Sequence, residues 1–260
     1  MHPPDLLDAH RLEGVAALGW RAPDTDRLGG WLLRAAGGWT GRANSVLPLD
    51  PPDRPVPDAI SAVESWYAAR GLPPRFQLPL PLCADLDATL AGRGYRAYNP
   101  TLVRVAAVAD VRGAADPGLP AVLLAPAPTP EWLVAYHYRG GEALPAVAVE
   151  VMAAAADPIF ASVSIDGAVA GIARAVVDEG WCGVTAVETV AAFQRRGIGR
   201  HLMRGVAGWA AERGAGHMYL QVAEENAAAQ AMYDRLGFAV HHRYHYRTPS
   251  GPIPSVSMSP

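Results

Sequence analysis

Apolar residues at Ile198, Leu202, Val206 and Trp209 recur at the interval of one helix face. They follow an apolar, β-branched run, Gly183 to Val190, that reads as a strand. Between the two lies Gln194-Arg195-Arg196-Gly197-Ile198-Gly199-Arg200. A strand is therefore expected to pass through a short glycine-bearing loop straight into a helix. Such a turn aims the N–H groups of the first helical turn, and the positive end of the helix dipole, at one point in space. A phosphate or pyrophosphate can be held there.

The pattern extends in both directions. Leu6 to Leu18 has helical periodicity; Trp31 to Arg34 and Arg42 to Leu49 read as strands separated by Gly37-Gly38. A Pro-rich connector, Asp50 to Pro57, leads into a helix from Asp58 to about Arg70, a strand Phe76–Leu80, a helix Ala84–Leu90 and a strand Thr101–Val108. Residues 109–119 are small, polar and Pro/Gly-bearing, as a linker would be. Beyond them come a strand Ala121–Leu124 and helical stretches Pro130–Tyr138 and Ala143–Ala155. Ile159–Ile165 and Ala168–Val177 form a hairpin across Asp166-Gly167, a strong hairpin signal. The order closes with the strand Trp181–Val190, the helix to about Arg213, a strand Met218–Val222, a helix Asn226–Leu236 and a strand Phe238–Tyr246. Thr248 to Pro260 carries four prolines and reads as a tail. The expected division is 1–115, 120–247 and a tail 248–260.

Composition narrows the function classes. Half of the 260 residues are apolar, enough for a substantial core, and a net charge of −3 with a pI near 6.2 argues against a nucleic-acid binder. Cys83 and Cys182 have no paired Cys or His spacing around them, so they are expected as buried thiols and no metal site is expected. The N-terminus has no basic segment followed by an apolar run, and no apolar stretch reaches bilayer length, so a soluble, cytoplasmic protein with no membrane partner is expected.

A repeat links the two halves. Trp66-Tyr-Ala-Ala-Arg-Gly71 reappears 143 positions later as Trp209-Ala-Ala-Glu-Arg-Gly214, and Gly94-Tyr95 as Gly237-Phe238 at the same displacement. Under that shift Gln194–Gly199 falls on Pro51-Pro-Asp-Arg-Pro-Val56, where prolines supply no N–H and glycine is missing. Asn226 falls on Cys83, and Tyr233 on Leu90. The first half keeps the packing residues and lacks the polar ones, so only the second half is expected to be active.

The motif Gln-x-x-Gly-x-Gly after a central strand, with Asn226 and Tyr233 on one helix face ahead of Leu-Gly-Phe, resembles the GNAT family of acetyl-CoA-dependent N-acetyltransferases. The resemblance covers about residues 120–247. It implies an α/β fold with a mixed sheet, and for the whole chain two GNAT-like acyl-CoA N-acyltransferase folds in tandem, the first degenerate. It implies that backbone groups of Val187, Glu188 and Thr189 pair with the pantetheine arm of acetyl-CoA, the co-substrate. The N–H groups of Arg195, Arg196, Gly197, Ile198, Gly199 and Arg200, in the loop opened by Gln194, would hold the pyrophosphate. Asn226 would contact the cofactor or cap its helix, and Tyr233 would protonate the departing thiolate.

The chemistry implied is direct attack of an unprotonated amine on the thioester. Similar protein N-terminal acetyltransferases carry a Glu base where this chain has Gln221, and Gln cannot act as a base. Glu188 is the replacement candidate, with a carboxylate turned away from the site as its alternative. Glu224 and Glu225 suit a helix start. His241, His242 and His245 are expected on a solvated strand face, with acceptor binding or proton shuttling as the alternative, and Trp20, Trp31, Trp39 and Trp66 in packing. The expected acceptor is a primary amine of a small or amino-acid-like molecule. The alternatives are a protein N-terminus or lysine, and a non-catalytic acyl-CoA-binding regulator. Monomer and homodimer are both open.

Overall fold

The computed structural model describes residues 8–113, 116–136 and 144–251. Its chain condenses into two units, residues 1–101 with 242–260, and residues 102–241. The first opens with α1 (Ala9–Gly19), whose N-terminus is closed by Asp8 accepting the Arg11 N–H at 2.8 Å. Then β1 (Asp24–Leu28), β2 (Trp31–Ala35) and β3 (Leu47–Pro48) form an antiparallel sheet. The strand expected at Arg42–Leu49 is mostly something else: Arg42–Asn44 is a 3-10 turn. Buried Asn44 is the reason. Its Oδ1 accepts the N–H groups of Ala36 and Gly38, both at 2.8 Å, and its Nδ2 donates to the carbonyls of Trp39 and Thr40. These bonds satisfy a bent backbone that a strand would have left straight.

The unit continues through α2 (Val56–Ala68), β4 (Phe76–Leu80), α3 (Ala84–Gly92) and β5 (Tyr95–Ala107). Ile60, Val63 and Tyr67 of α2 pack with Trp31, Leu33, Phe76 and Leu78 in one core. Trp20 stacks on Trp39 with ring centres 5.6 Å apart, and Trp31 meets Phe76 edge-on at 5.8 Å, so these tryptophans are packing residues as expected.

Residues 102–241 take in the end of β5, α4 (Val108–Val111), β6 (Leu123–Ala125), α5 (Pro130–Ala135) and α6 (Ala146–Ala153). The expected starts and ends of the α5 and α6 helices at Tyr138 and Ala143 lie outside the described residues. There follow β7 (Ile159–Ile165), β8 (Ala168–Asp178), β9 (Trp181–Thr189), α7 (Ile198–Glu212), β10 (His217–Ala223), α8 (Ala227–Asp234) and the start of β11 (Ala239–Pro249). The hydrogen-bonding order is β5-β10-β9-β8-β7-β6, antiparallel from β6 to β9, with β9 and β10 parallel. A parallel pair needs a crossover, and α7 is that crossover. Its Ile198, Leu202, Val206 and Trp209 are all buried against Ile159, Ala161, Val163 and Val184. The opposite face of the sheet is covered by α5 and α6: Trp132 meets Phe160 edge-on at 5.1 Å, and the Arg174 Nε donates to the Met152 carbonyl at 2.7 Å.

The stretch expected to be a linker is docked. Val108 and Val111 of α4 join the α7 core, and the Asp116 N–H donates to His201 Nδ1 at 3.4 Å. The unit boundaries also differ from the sequence division at 115, 120 and 247. β5 begins in the first unit and ends in the second, and β11 makes the reverse crossing. From Arg243 to Arg247, β11 pairs antiparallel with Leu80 to Phe76 of β4, completing the first unit. This corrects the reading of the histidines as a solvated face. His242 is buried against Glu13 at 2.9 Å, and His245 reaches Asp87 at 2.6 Å.

The repeat is physical. At the 143-residue displacement α2 corresponds to α7, β4 to β10, and Ala84 at the start of α3 to Ala227 at the start of α8. Arg70 lies over the Trp66 ring at 3.5 Å and Arg213 over the Trp209 ring at 4.4 Å. Two similar folds stand in tandem.

Candidate active site

The parallel ladder between β9 and β10 runs from Trp181–His217 to Val184–Leu220 and goes no further. Past that point β9 carries a bulge. On β8 Arg174 faces Thr185 and Ile172 faces Glu188, so Ala186 and Val187 together oppose one residue, and Ala186 has φ +52°. The bulge bends β9 just where its pairing with β10 stops. The backbone of Val187, Glu188 and Thr189 thereby lies in an unzipped stretch of sheet, the position in which it can pair with an extended ligand arm.

β9 leads through one 3-10 turn, Ala191–Phe193, into the glycine loop. The Gln194 Nε2 donates to the Thr189 carbonyl at 3.3 Å, tying the loop to the strand it leaves. Arg195 and Gly197 both turn left-handed, at φ +64° and +81°, and Gly197 is the N-cap of α7 with no side chain capping it. The first bond inside α7 is donated by the His201 N–H to the Gly197 carbonyl at 3.0 Å. The N–H groups of Ile198, Gly199 and Arg200 precede it and face outward from the helix end. Exposed Arg195, Arg196 and Arg200 add positive charge around them. These donors and charges fit a pyrophosphate. Gly199 is closely approached: a Cβ there would stand 2.8 Å from Met232 Sδ, which would have to shift, and 3.7 Å from Thr189 Oγ1. The end of β9, the start of α7 and α8 therefore converge on Gly199.

Asn226 caps α8, its Oδ1 accepting the Ala229 N–H at 3.1 Å. Tyr233 lies two turns on, buried, its ring meeting Phe238 edge-on at 5.7 Å. Among the described residues its hydroxyl has no hydrogen-bond partner. Burial pushes the phenol up to about 12, while the charge of Arg104 pulls it down.

Val187 packs with the α7 core, and Thr189 approaches Gly199. Alternation therefore turns Glu188 between them to the other face, the one covered by α5 and α6. Gln221 is half-buried on β10, one residue past the last pair with β9. Near the end of β9 a cavity of about 350 Å³ is lined by Pro130, Glu131, Val134, Ala135, Val169 and Val190. Its one acidic group among the described residues, Glu131, is held below the usual carboxylate range by hydrogen bonds from its own N–H and the Thr129 hydroxyl.

The first unit is different at the corresponding place. Its cavity there, about 490 Å³, is walled by residues that include Trp31, Pro51, Pro52, Val56 and Leu86, and it carries the carboxylates of Asp50 and Asp85. The α2 N-cap is Pro55, with a further proline in the first turn, so the cradle of N–H donors is reduced.

Sequence reasoning missed Arg104, Met232 and Glu131. Arg104 had a signal, being the one charged residue in the apolar run Leu102-Val-Arg-Val-Ala-Ala107. Glu131 and Met232 had none, since only folding brings them to the end of β9 and to Gly199.

Comparison with known proteins agrees with this geometry. Residues 8–247 match the family model described as "Probable histone acetyltransferase Rv0428c C-terminal". The Mycobacterium tuberculosis protein named "Probable histone acetyltransferase Rv0428c" is 33% identical over 244 residues, covering 90% of this chain and 72% of its own. The streptothricin acetyltransferase of Streptomyces lavendulae is 43% identical over 83 residues, covering 31% of this chain and 43% of its own. A GCN5-related N-acetyltransferase structure from Kribbella flavida superposes with a TM-score of 0.72 at 18% identity, covering 94% and 96% of the two chains. By its matched length and its fold, the chain belongs to the GNAT family of acetyl-CoA-dependent N-acetyltransferases.

Proposed function

We propose that the chain acetylates a primary amine of a small, amino-acid-like molecule, bound in the cavity beside α5. The observation that carries this reading is the size and lining of that cavity: about 350 Å³ and, among the described residues, largely apolar with one carboxylate at Glu131. It is of the size of a small-molecule pocket, and a carboxylate suits an amine-bearing acceptor. The likeness to streptothricin acetyltransferase, named for a small molecule, supports it.

In this reading the N–H groups of Ile198, Gly199 and Arg200, with Arg195 and Arg196, hold the pyrophosphate of acetyl-CoA, and the backbone of Val187 to Thr189 orients its thioester arm. Asn226 fixes the start of α8. The acceptor amine, unprotonated, attacks the carbonyl carbon; a C–N bond forms and the C–S bond breaks. Tyr233 gives its phenolic proton to the departing sulfur and regains one from solvent. Glu188, on the α5 and α6 side of the sheet, takes the proton released by the ammonium nitrogen. The first unit binds no acyl-CoA.

Thiol release measured over a panel of amines, amino-acid amides and histone peptides tests the acceptor. Turnover on small amines, with histone peptides at least tenfold slower in kcat/KM, is expected. The second reading, a protein acceptor, rests on the name of the 33%-identical relative, and faster turnover on histone peptides would establish it instead.

A further inference from the structure

Arg104 is buried in β5, with only 5% of its side chain exposed. A guanidinium costs several kcal/mol to bury unless its surroundings compensate, and an apolar residue of similar volume would be cheaper. What compensates here is a single structure, α8 and the turn that follows it. The Arg104 Nη1 donates to the Gln230 carbonyl at 3.2 Å, and Nη2 donates to the Phe238 carbonyl at 2.7 Å and to the Asp234 carboxylate. These three partners bracket Tyr233: one helical turn before it, next to it, and past Gly237. The N–H groups of Leu236 and Phe238 in turn donate to the Tyr233 carbonyl at 3.1 and 3.0 Å. The hydroxyl of Tyr233 has no partner among the described residues, so the side chain is aimed by its backbone and by the Phe238 ring.

We infer that Arg104 is a positioning residue for the acetyl transfer, clamping the end of α8 so that the Tyr233 hydroxyl faces the departing sulfur. The inference rests on the reading of Tyr233 as the acid. The clamp closes the C-terminal end of a short helix, where a cation also complements the dipole. The same charge lies close enough to ease ionisation of the buried phenol. Arg104 precedes the catalytic GNAT segment in sequence, on a strand that begins in the first unit. The acid of one repeat is thus held by a residue from the sequence of the other.

Arg104→Lys, Tyr233→Phe and the double variant, with kcat and the KM for acetyl-CoA measured for each, test the inference. Arg104→Lys is expected to lower kcat by about tenfold with KM within about twofold, and to lower it no further in the Tyr233→Phe background. Independent, multiplying losses in the double variant would overturn the clamp while leaving the acid reading intact, as would an unchanged kcat in Arg104→Lys. An unchanged kcat in Tyr233→Phe removes the acid reading and the clamp with it. Should Arg104→Lys fail to fold, Asp234→Ala, at a largely exposed side chain, removes one arm of the clamp. It is expected to lower kcat by about threefold in the native background and not in Tyr233→Phe; equal losses in both would overturn the inference.

Discussion

The imidazole of His242 meets the carboxylate of Glu13 at 2.9 Å in the interior of the first unit, although the two residues are 229 positions apart. The other Glu13 oxygen accepts from the Gln77 side chain, whose own oxygen accepts from Arg34. Removing one member of such a buried chain leaves a polar partner stranded. His242→Ala is expected to destabilise the first unit by about 3 kcal/mol, read by urea titration, with His242→Gln losing less because an amide can still donate to Glu13. Equal stability of the alanine variant would mean that the buried carboxylate is satisfied without the histidine.

Tyr233→Phe should lower kcat by about 100-fold while the KM for acetyl-CoA changes by less than about twofold. With its phenol pushed up to about 12, Tyr233 keeps its proton throughout the range of an ordinary assay. Turnover is therefore expected to rise with pH as the amine loses its proton and not to fall before about pH 10. The stability linked to this group has the same sign. Its folded pKa lies above the ordinary value of 10.0, so the contribution is full below that pH and fades as pH climbs towards about 12. A falling limb near pH 8 would assign the acid to another group.

Gly197 opens α7 at φ +81°, where an L side chain is strained. Gly197→Ala is expected to cost about 1 kcal/mol of stability and to weaken acetyl-CoA binding by about fivefold, both accessible to thermal shift and calorimetry. Undiminished affinity would remove the loop from the pyrophosphate site.

Calorimetry of the full chain should return one acetyl-CoA per chain. A second site of similar affinity would mean that the first unit, with Asp50 and Asp85 at its cavity and prolines at the head of α2, holds phosphate by some other means.

Neither thiol is expected to react with a disulfide reagent in the native protein. Burial pushes Cys83 up to about 12 and Cys182 higher, so little thiolate exists at neutral pH and none of it is at the surface. Both should titrate after denaturation, and reaction of either beforehand would indicate local opening.

The second unit was largely legible because its signals are local. The apolar stripe of α7 is repeated over three turns, and the glycines at 197 and 199 sit where a backbone turns left-handed and where a Cβ would press on Met232. β1 escaped notice because four of its five residues are exposed and polar or charged, so it shows no alternation. The bend at Asn44 was hidden because one amide satisfies four backbone groups, and a lone Asn in a strand-like run does not announce that. His242 was misplaced for a different reason: its burial depends on Glu13, and nothing nearby in sequence points to a partner so distant. The partners of Arg104 are likewise more than a hundred positions away.

The exchange of strands also bears on how such a chain can evolve. The first unit needs residues from both termini, so no single cut yields two fragments that each hold a complete unit. A gene split between the repeats would orphan β11 from the unit it completes. Loss of the first repeat would take Arg104 and β5 with it. Because β5 and β11 each run through both units, the two halves of the chain cannot be parted without breaking a strand. The first copy cannot be discarded without the strand that the second unit shares with it.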